Sequence, residues 1–265
     1  PLGALFCLAA IPAVMCSGKM TQANTAINVF CHNNTQKLIL GIIFCIACYF
    51  VITGNFGRIA AITEKLIPIM SVLYIVICSV VIIKNHEFLP KAFRMIFVGA
   101  FNPHAVTGGA IGSVGTAMFI GASRGVFSNE AGLGTSAMAH SVAVDANPKT
   151  QGLFGVFEVF IDTLLLCTLT ALTILCGGVK INYGTAASTE LVISALKTVF
   201  GGISTPLIAL MMCLFGFSSI IGWSLYGVSF FEYLLGKKAT KVFCYVYPVF
   251  CFLGALGSSN IAFKL

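Results

Sequence analysis

A short polar segment, residues 128–134, interrupts the apolar stretches of this chain with the sequence SNEAGLG. It offers the hydroxyl of Ser128, the amide of Asn129 and the carboxylate of Glu130, and the guanidinium of Arg124 lies just before it. Lipid does not accept charges or unpaired backbone groups unless protein or water binds them. The segment is therefore either an ordinary loop between two membrane helices or the floor of a binding site at membrane depth.

These two interpretations differ in what the flanking backbone can bind. If residues 108–127 and the shorter piece 131–144 are halves of one interrupted helix, the break exposes N–H groups with a positive end and carbonyl groups with a negative end. In secondary transporters such helix ends bind a carboxylate and a small cation. Composition alone favours the loop, so both interpretations stand at this point.

Two acids, Glu158 and Asp162, stand four residues apart in the apolar run 151–177. That spacing places both on one helix face, where a charge is costly and needs a partner, so we expect both to face the protein interior. They are either cation- or proton-binding groups or, as the preferred interpretation, structural acids paired with Arg124 or a lysine. Paired carboxylates also catalyse hydrolysis, but the sequence places no attacking group beside them.

A third polar set lies in residues 216–224, which carry the single Trp of the chain, Trp223. The hydroxyls of Ser218 and Ser219 offer oxygens to a hard cation such as Na⁺, although bonding back to their own helix is the simpler interpretation. Near the start of the chain, Gln22 and its polar neighbours form a stripe. This stripe either faces protein or water, or marks where the helix leaves the membrane.

The composition sets the class of protein. Hydrophobic residues make up 58% of the 265 residues and charged residues 9%, against roughly 25% charged in soluble domains. These values predict an all-α polytopic membrane protein. The net charge of +7 comes from scattered Lys and Arg, which indicate membrane edges and not a nucleic-acid surface. Most Cys lie in apolar runs, Cys45 and Cys48 among them, and indicate reduced packing residues.

Motifs for nucleotide or metal chemistry are absent from the sequence, which contains no P-loop and no HExxH. The four His lie far apart, and each is interpreted as a loop or helix-end residue. An ion gradient therefore suits the chain better than ATP as an energy source. We expect no organic cofactor, and no metal site apart from a possible Na⁺ site.

Several stretches are apolar and long enough, at about 20 residues, to span a membrane. They are residues 2–29, 37–55, 66–84, 108–127, 151–177, 203–235 and 242–260. Two further pieces, 88–101 and 189–200, are expected to be interfacial or surface helices. The tight loop 236–241 carries three Lys and no acid, which predicts that it is cytoplasmic. Both ends of the chain look cut, so we expect a fragment of a longer protein.

Residues 124–140 read RGVFSNEAGLGTSAMAH, and this long run resembles the signature of the alanine or glycine:cation symporter family. Three more stretches agree in order, namely residues 20–24, 158–164 and 217–224. The resemblance implies the leucine-transporter-like fold, in which two inverted five-helix repeats each begin with a broken helix. It also implies uptake of alanine or glycine that is driven by Na⁺ or H⁺.

Under this resemblance the chain corresponds to core helices three to nine of that fold. Residues 108–144 would form the broken sixth helix and residues 203–235 the eighth, which reverses the preference for a plain loop at 128–134. The first two core helices and the tenth would be absent. Residues 1–265 are therefore expected to be a single, partial transmembrane domain, without the first broken helix that carries much of the substrate and cation site in the family.

The resemblance also implies roles for individual residues. Gln22 and Trp223 match positions that line the substrate pocket, and Ser219 matches a position in the same cavity where the family often has Thr. Backbone groups around Ser128 and Asn129 would bind the substrate. A small pocket capped by Trp223 would suit alanine or glycine, so we expect this ring to set the size limit of the substrate.

Three functions remain open from the sequence. The preferred one is a symporter of the cell membrane that imports a small amino acid with Na⁺ or H⁺. Its structural or coupling residues would be Arg124, Glu130, Glu158 and Asp162. The second is a passive ion channel lined by the same polar residues, which would show no saturable amino-acid uptake. The third is an intramembrane enzyme that uses Glu158 and Asp162.

Overall fold

The computed structural model describes residues 2–15, 17–29, 31, 33–101, 112–130, 132–141, 143, 147–181 and 189–257. These residues form helices and no strand. The α-helices are α1 Leu2–Met15, α2 Ser17–Asn28, α3 Asn34–Ile52, α4 Asn55–Lys84, α5 Leu89–Phe101, α6 Gly112–Ser128, α7 Thr135–Ser141, α8 Pro148–Val159, α9 Thr168–Cys176, α10 Thr189–Phe200 and α11 Ser204–Leu256. Two short 3₁₀ segments, His86–Phe88 and Gly201–Ile203, and a π-helix, Phe160–Cys167, lie between them.

Four helical runs of the described chain are long and apolar enough to cross a membrane. They are Asn34–Ile52, Gly57–Lys84, Pro148–Cys176 and Thr189–Leu256, and α1 is apolar but shorter. A helix bonds its interior backbone groups within itself, which is why apolar sequence takes this form in lipid. The predicted all-α polytopic class is confirmed, and α5 and α10 confirm the two short helices predicted at 88–101 and 189–200.

The prediction of a loop at residues 236–241 is wrong. The chain leaves helical geometry only at Gly236, with φ 78° and ψ 178°, and α11 continues from Lys237. Glycine reaches positive φ without the steric cost that a Cβ adds, so one residue is enough for the change of direction. The three lysines of this stretch therefore lie on a helix and not on a loop.

The described chain divides into two compact units, residues 1–71 with 206–265 and residues 72–205. In the first unit, α11 folds back on itself, as shown by the Tyr247 hydroxyl, which donates to the Ile220 carbonyl at 2.8 Å. The amide of Asn24 in α2 donates to the carbonyls of Gly254 and Gly257, at 3.1 and 2.6 Å. Helix α2 is thus fixed against the second part of α11.

In the second unit, the continuous run of α8, the π-helix and α9 contacts several neighbours. The hydroxyls of Tyr74 in α4 and Thr170 in α9 are 2.6 Å apart. Ala92 of α5 packs in a buried cluster with Leu172 and Cys176 of α9. These contacts hold the run in place, and the π-helix in its middle carries Asp162.

Candidate functional site

The polar segment that follows α6 interrupts the helix. Helix α6 ends at Ser128 and α7 begins at Thr135. Between them Glu130 (φ 51°), Gly132 (φ 78°) and Gly134 (φ 76°) take the left-handed conformation, which costs about 1–2 kcal/mol for a residue with a Cβ. The prediction of a helix interruption here is confirmed, and its depth in the membrane stays a prediction.

The one residue with a Cβ among these three is bonded across the break. The Thr135 hydroxyl donates to Glu130 Oε2 at 2.5 Å, and Thr135 is buried. Hydrogen bonds to a charged group contribute about 1.5–3 kcal/mol, which is enough to offset the left-handed backbone of Glu130. The hydrogen bond from Thr135 stabilises the break, which is what a structural role of Glu130 requires. A coupling role for Glu130 stays a prediction.

The residues that meet the break belong to the π-helix Phe160–Cys167, whose backbone bonds join residues five apart instead of four. Asp162 Oδ2 accepts a hydrogen bond from the Ser128 hydroxyl, and the Thr163 hydroxyl donates to Asn129 Oδ1. Two adjacent side chains of the break thus bond two adjacent side chains of the π-helix. Turns of π-helix occur frequently at functional sites.

A histidine near the end of α7 contacts α8. His140 Nδ1 lies 3.0 Å from Gln151 Oε1, which only accepts, so Nδ1 carries the proton. His140 Nε2 lies 3.6 Å from Glu158 Oε2, beyond hydrogen-bond length but close enough for an ion pair once the ring is protonated. The hydrogen bond between His140 and Gln151 joins the seven-residue α7 to α8.

Two predictions for the acids are wrong. Within the described residues, neither Glu158 nor Asp162 forms an ion pair with Arg124 or a lysine, and their side chains contact His140 and Ser128 instead. The Glu158 side chain is 67% exposed and does not face the interior, whereas Asp162 is half-buried. The π-helix contributes to the difference, because its wider turn shifts Asp162 around the helix axis relative to Glu158.

An open cavity of about 960 Å³ borders the break in the second unit. Asn129 and Glu130 supply polar atoms to its lining, and Val156, Phe160 and Leu164 supply apolar ones. A ligand in this cavity would therefore meet hydrogen-bonding groups from the break and apolar contacts from the run that contains the π-helix. The chemistry suits a small molecule that has both a polar and an apolar part.

In the first unit, the hydroxyls predicted to bind a cation lie on α11. Ser218 Oγ donates to the Phe215 carbonyl at 2.9 Å and lies 3.5 Å from Met70 Sδ. Ser219 is half-buried. The simpler interpretation, a bond back to the same helix, therefore holds for Ser218, whose oxygen still has lone pairs for a cation. Cation binding by Ser218 and Ser219 stays a prediction.

The two large side chains predicted to line a substrate pocket also lie in the first unit. Trp223 is half-buried, and its ring meets that of Tyr226 edge to face with centroids 5.8 Å apart. Gln22 is half-buried on α2, where a Cβ added to Gly216 of α11 would lie only 3.2 Å from its carbonyl oxygen. Gln22 therefore lies where α2 and α11 approach closely, two turns along α11 from Trp223.

Sequence reasoning missed four polar residues around the break. They are Thr135, His140, Gln151 and Thr163. Thr163 lies next to Asp162, and Thr135 lies a few residues after Glu130. Both acids were singled out from the sequence, so proximity along the chain was a usable signal. Gln151 has no such signal, because its contact with His140 depends on how α7 and α8 pack.

Comparisons of the chain with a family profile and with individual known proteins indicate the same family. The whole chain, residues 1–265, matches the sequence profile of the sodium:alanine symporter family. It is 32% identical over 269 residues to the sodium/alanine symporter AgcS of Methanococcus maripaludis, covering 100% of this chain and 58% of that protein. It is 30% identical over 263 residues to the sodium/proton-dependent alanine carrier protein of Bacillus sp. PS3, covering 92% of this chain and 58% of the carrier.

A third relative, the probable sodium/glutamine symporter GlnT of Bacillus subtilis, is 33% identical over 245 residues, covering 92% of this chain and 50% of that protein. The chain thus spans only 50% to 58% of the length of these curated relatives. Two findings indicate a multi-pass protein of the cell membrane. They are the apolar helices that can cross a membrane and the family match. The chain belongs to the sodium:alanine symporter family.

Proposed function

We propose that this chain forms part of a cation-coupled symporter that imports a small neutral amino acid, alanine or glycine, by alternating access. The observation that carries the proposal is the bonded contact between the break, at Ser128 and Asn129, and the π-helix, at Asp162 and Thr163. It places a carboxylate beside an interrupted helix in a chain that matches the family throughout. A transport function of this kind implies no enzymatic activity.

The proposed architecture is the leucine-transporter-like inverted repeat, of which this chain supplies core helices three to nine. The separate helices α6 and α7 support it, because that fold requires a broken sixth helix. The single turn at Gly236 also supports it, since α11 then supplies two consecutive antiparallel helices. In this proposal residues 1–265 belong to one transmembrane domain.

The proposed coupling ion is Na⁺ or H⁺, and no organic cofactor takes part. The Asp162 carboxylate is available to either ion, and the carbonyl end of α6 beside it carries the negative end of the helix dipole. Hydroxyl and carbonyl oxygens are the ligands that hard cations prefer. Ser218 and Ser219 would offer such oxygens to Na⁺ in the first unit, while Arg124 and Glu158 would take structural or coupling roles.

The proposed substrate is a small amino acid whose charged groups are bound by backbone groups around Ser128 and Asn129. Gln22 and Ser219 would line the substrate pocket, and Trp223 would limit its size. Two of the relatives reported above are named for alanine and one for glutamine, so the named substrates differ in the size of their side chains. A half-buried Trp is suited to limiting the size of a substrate because its ring is large and rigid.

The test is uptake of labelled alanine by the full-length protein that contains this chain, reconstituted in liposomes. An inward Na⁺ gradient, an inward H⁺ gradient and no gradient are compared, with unlabelled glycine, alanine and glutamine as competitors. We expect saturable uptake that one of the two gradients drives above equilibrium. Ion currents without saturable alanine uptake would favour a passive channel and refute the proposal.

A further inference from the structure

A second cavity, of about 350 Å³, lies in the first unit at the ends of several helices. It is bordered by the last residue of α3, Ile52, by Thr53 after it, and by Ile59 in the first turns of α4. Its other side is α11 on both sides of the turn at Gly236. Apolar helices that end together in this way leave the membrane at about the same level, which is the level of the lipid headgroups.

The floor of this cavity is apolar. Ile52, Ile59 and Val228 line it, and each is less than a tenth exposed. Tyr245 lies at its edge with 58% of its surface exposed. Tyr is favoured at the membrane interface, where one end of its side chain meets lipid and the hydroxyl meets water. The cavity therefore offers an apolar surface beneath an interfacial rim.

The charged part of the lining is predominantly basic. Lys237 and Lys241 are one helical turn apart on the same face, and both line the cavity, together with a single acid, Glu232. Neither lysine forms an ion pair or a hydrogen bond with any residue that the structure describes, Glu232 included. Two ammonium groups at the rim are thus available to an anion, and Lys238 adds a third charge beside them.

Among the other polar groups at this end of the molecule, both threonine hydroxyls are bonded to the backbone. The Thr53 hydroxyl donates to the Tyr49 carbonyl at 2.7 Å, and the Thr240 hydroxyl donates to the Gly236 carbonyl at 3.3 Å. Arg58 donates to the Phe50 carbonyl at 2.8 Å, at the end of α3. Arg58 therefore adds positive charge near the cavity while its side chain is bonded to the backbone.

We propose that this cavity binds the headgroup of an anionic phospholipid. The phosphate is bound by the ammonium groups of Lys237 and Lys241, and the glycerol and upper acyl carbons lie on Ile52 and Val228. The combination of an apolar floor and unpaired lysines at a level where helices leave the membrane is what such a lipid requires. The proposal is independent of the transported substrate and of the coupling ion.

The test is native mass spectrometry of the full-length protein in detergent, titrated with phosphatidylglycerol or with phosphatidylethanolamine of the same acyl chains. We expect tighter binding of phosphatidylglycerol. Replacing both lysines, K237Q with K241Q, should weaken it roughly 25-fold, because each basic residue near an anionic headgroup contributes about fivefold. K237R with K241R keeps the charges and should keep the binding.

The matched control is K65Q with K149Q, which removes two exposed lysines that lie outside the cavity. It should leave phosphatidylglycerol binding unchanged. An equal loss in both double variants would mean diffuse surface attraction and would overturn the proposal. So would equal affinity for the two lipids, or displacement of phosphatidylglycerol by inorganic phosphate at matched concentration, since the site would then bind a free anion.

Discussion

Two hydroxyl side chains in the first unit of this protein and two in the second bond to different kinds of partner. In the first unit, Ser218 and Ser224 donate to carbonyls one turn back in their own helix. In the second unit, Ser128 donates to the Asp162 carboxylate and Thr163 to the Asn129 amide oxygen, each across two segments. The first pattern is local, whereas the second joins the end of α6 to the π-helix.

The difference indicates which single substitutions should change how the segments are arranged. A hydroxyl that bonds to its own helix keeps its partner wherever the helix moves, so it contributes little to how segments are arranged. A hydroxyl that bonds a carboxylate in another segment fixes the distance between the two, and its loss leaves a charge without a donor. The polar set of Ser218 and Ser224 on α11 is therefore expected to act through shape and lone pairs, and the contact between the break and the π-helix through a bonded charge.

The largest expected effect tests the role of shape in the first unit. Trp223→Ala should open room for side chains larger than that of alanine and weaken alanine itself. One methylene in a pocket is worth about 1–3 kcal/mol, so the preference should move roughly 10- to 200-fold. The measurement is competition by alanine, valine and leucine against labelled alanine uptake by the full-length protein.

Tyr233→Ala is the matched control for this prediction, because Tyr233 lies on the same part of α11 and is 65% exposed. It removes an aromatic ring without opening a pocket, so the order of competitors should not change. Equal loss of affinity for every competitor in Trp223→Ala would mean that the ring only packs against Tyr226.

The next effect separates the two acids of the second unit. Asp162→Asn should lower gradient-driven alanine uptake roughly 10-fold, because the amide oxygen still accepts from Ser128 but without the charge, and a hydrogen bond to a charged group contributes about 1–1.5 kcal/mol more than a neutral one. Glu158→Gln removes the same charge four residues away, but from an exposed contact with His140 that is worth at most about 1 kcal/mol. Its uptake should fall no more than about fivefold, and similar losses in both variants would contradict the distinction.

A smaller effect concerns the backbone of the break. Gly132→Ala should destabilise the purified protein by about 1–2 kcal/mol, because φ at this position is 78° and a Cβ is strained there. Gly152→Ala, in the interior of α8 with open space around it, should be neutral or stabilising by up to about 1 kcal/mol. The check is thermal unfolding in detergent, where equal shifts of both variants would speak against a left-handed turn.

Much of the fold could be predicted because the signals are local. Apolar length fixed the positions of α3, α8–α9 and α11, and the composition of residues 128–134 predicted the break between α6 and α7. Gly132 and Gly134 are also local signals, since both occupy a conformation that disfavours other residues. The change of direction near residue 236 was predicted as a loop of six residues, whereas only Gly236 leaves helical geometry.

The partners of the polar residues could not be predicted in the same way. The sequence of the π-helix is apolar around Asp162 and carries no mark that its backbone bonds span five residues. An ordinary helix would place Asp162 near the face of Glu158. This led to the expectation that both acids face the interior, which is wrong for Glu158, and that they pair with Arg124 or a lysine. The contact of His140 with Gln151 likewise depends on packing between helices.

The most direct measurement is a double-mutant cycle between the break and the π-helix. Ser128→Ala and Asp162→Ala are made singly and together in the full-length protein, and a parallel cycle pairs Ser224→Ala with Asp162→Ala. Thermal unfolding in detergent gives the change in stability of each variant. If Ser128 and Asp162 act as one bonded unit, their effects should depart from additivity by about 0.5–3 kcal/mol, while the Ser224 cycle adds within about 0.5 kcal/mol. Additive effects of Ser128 and Asp162 would contradict the account.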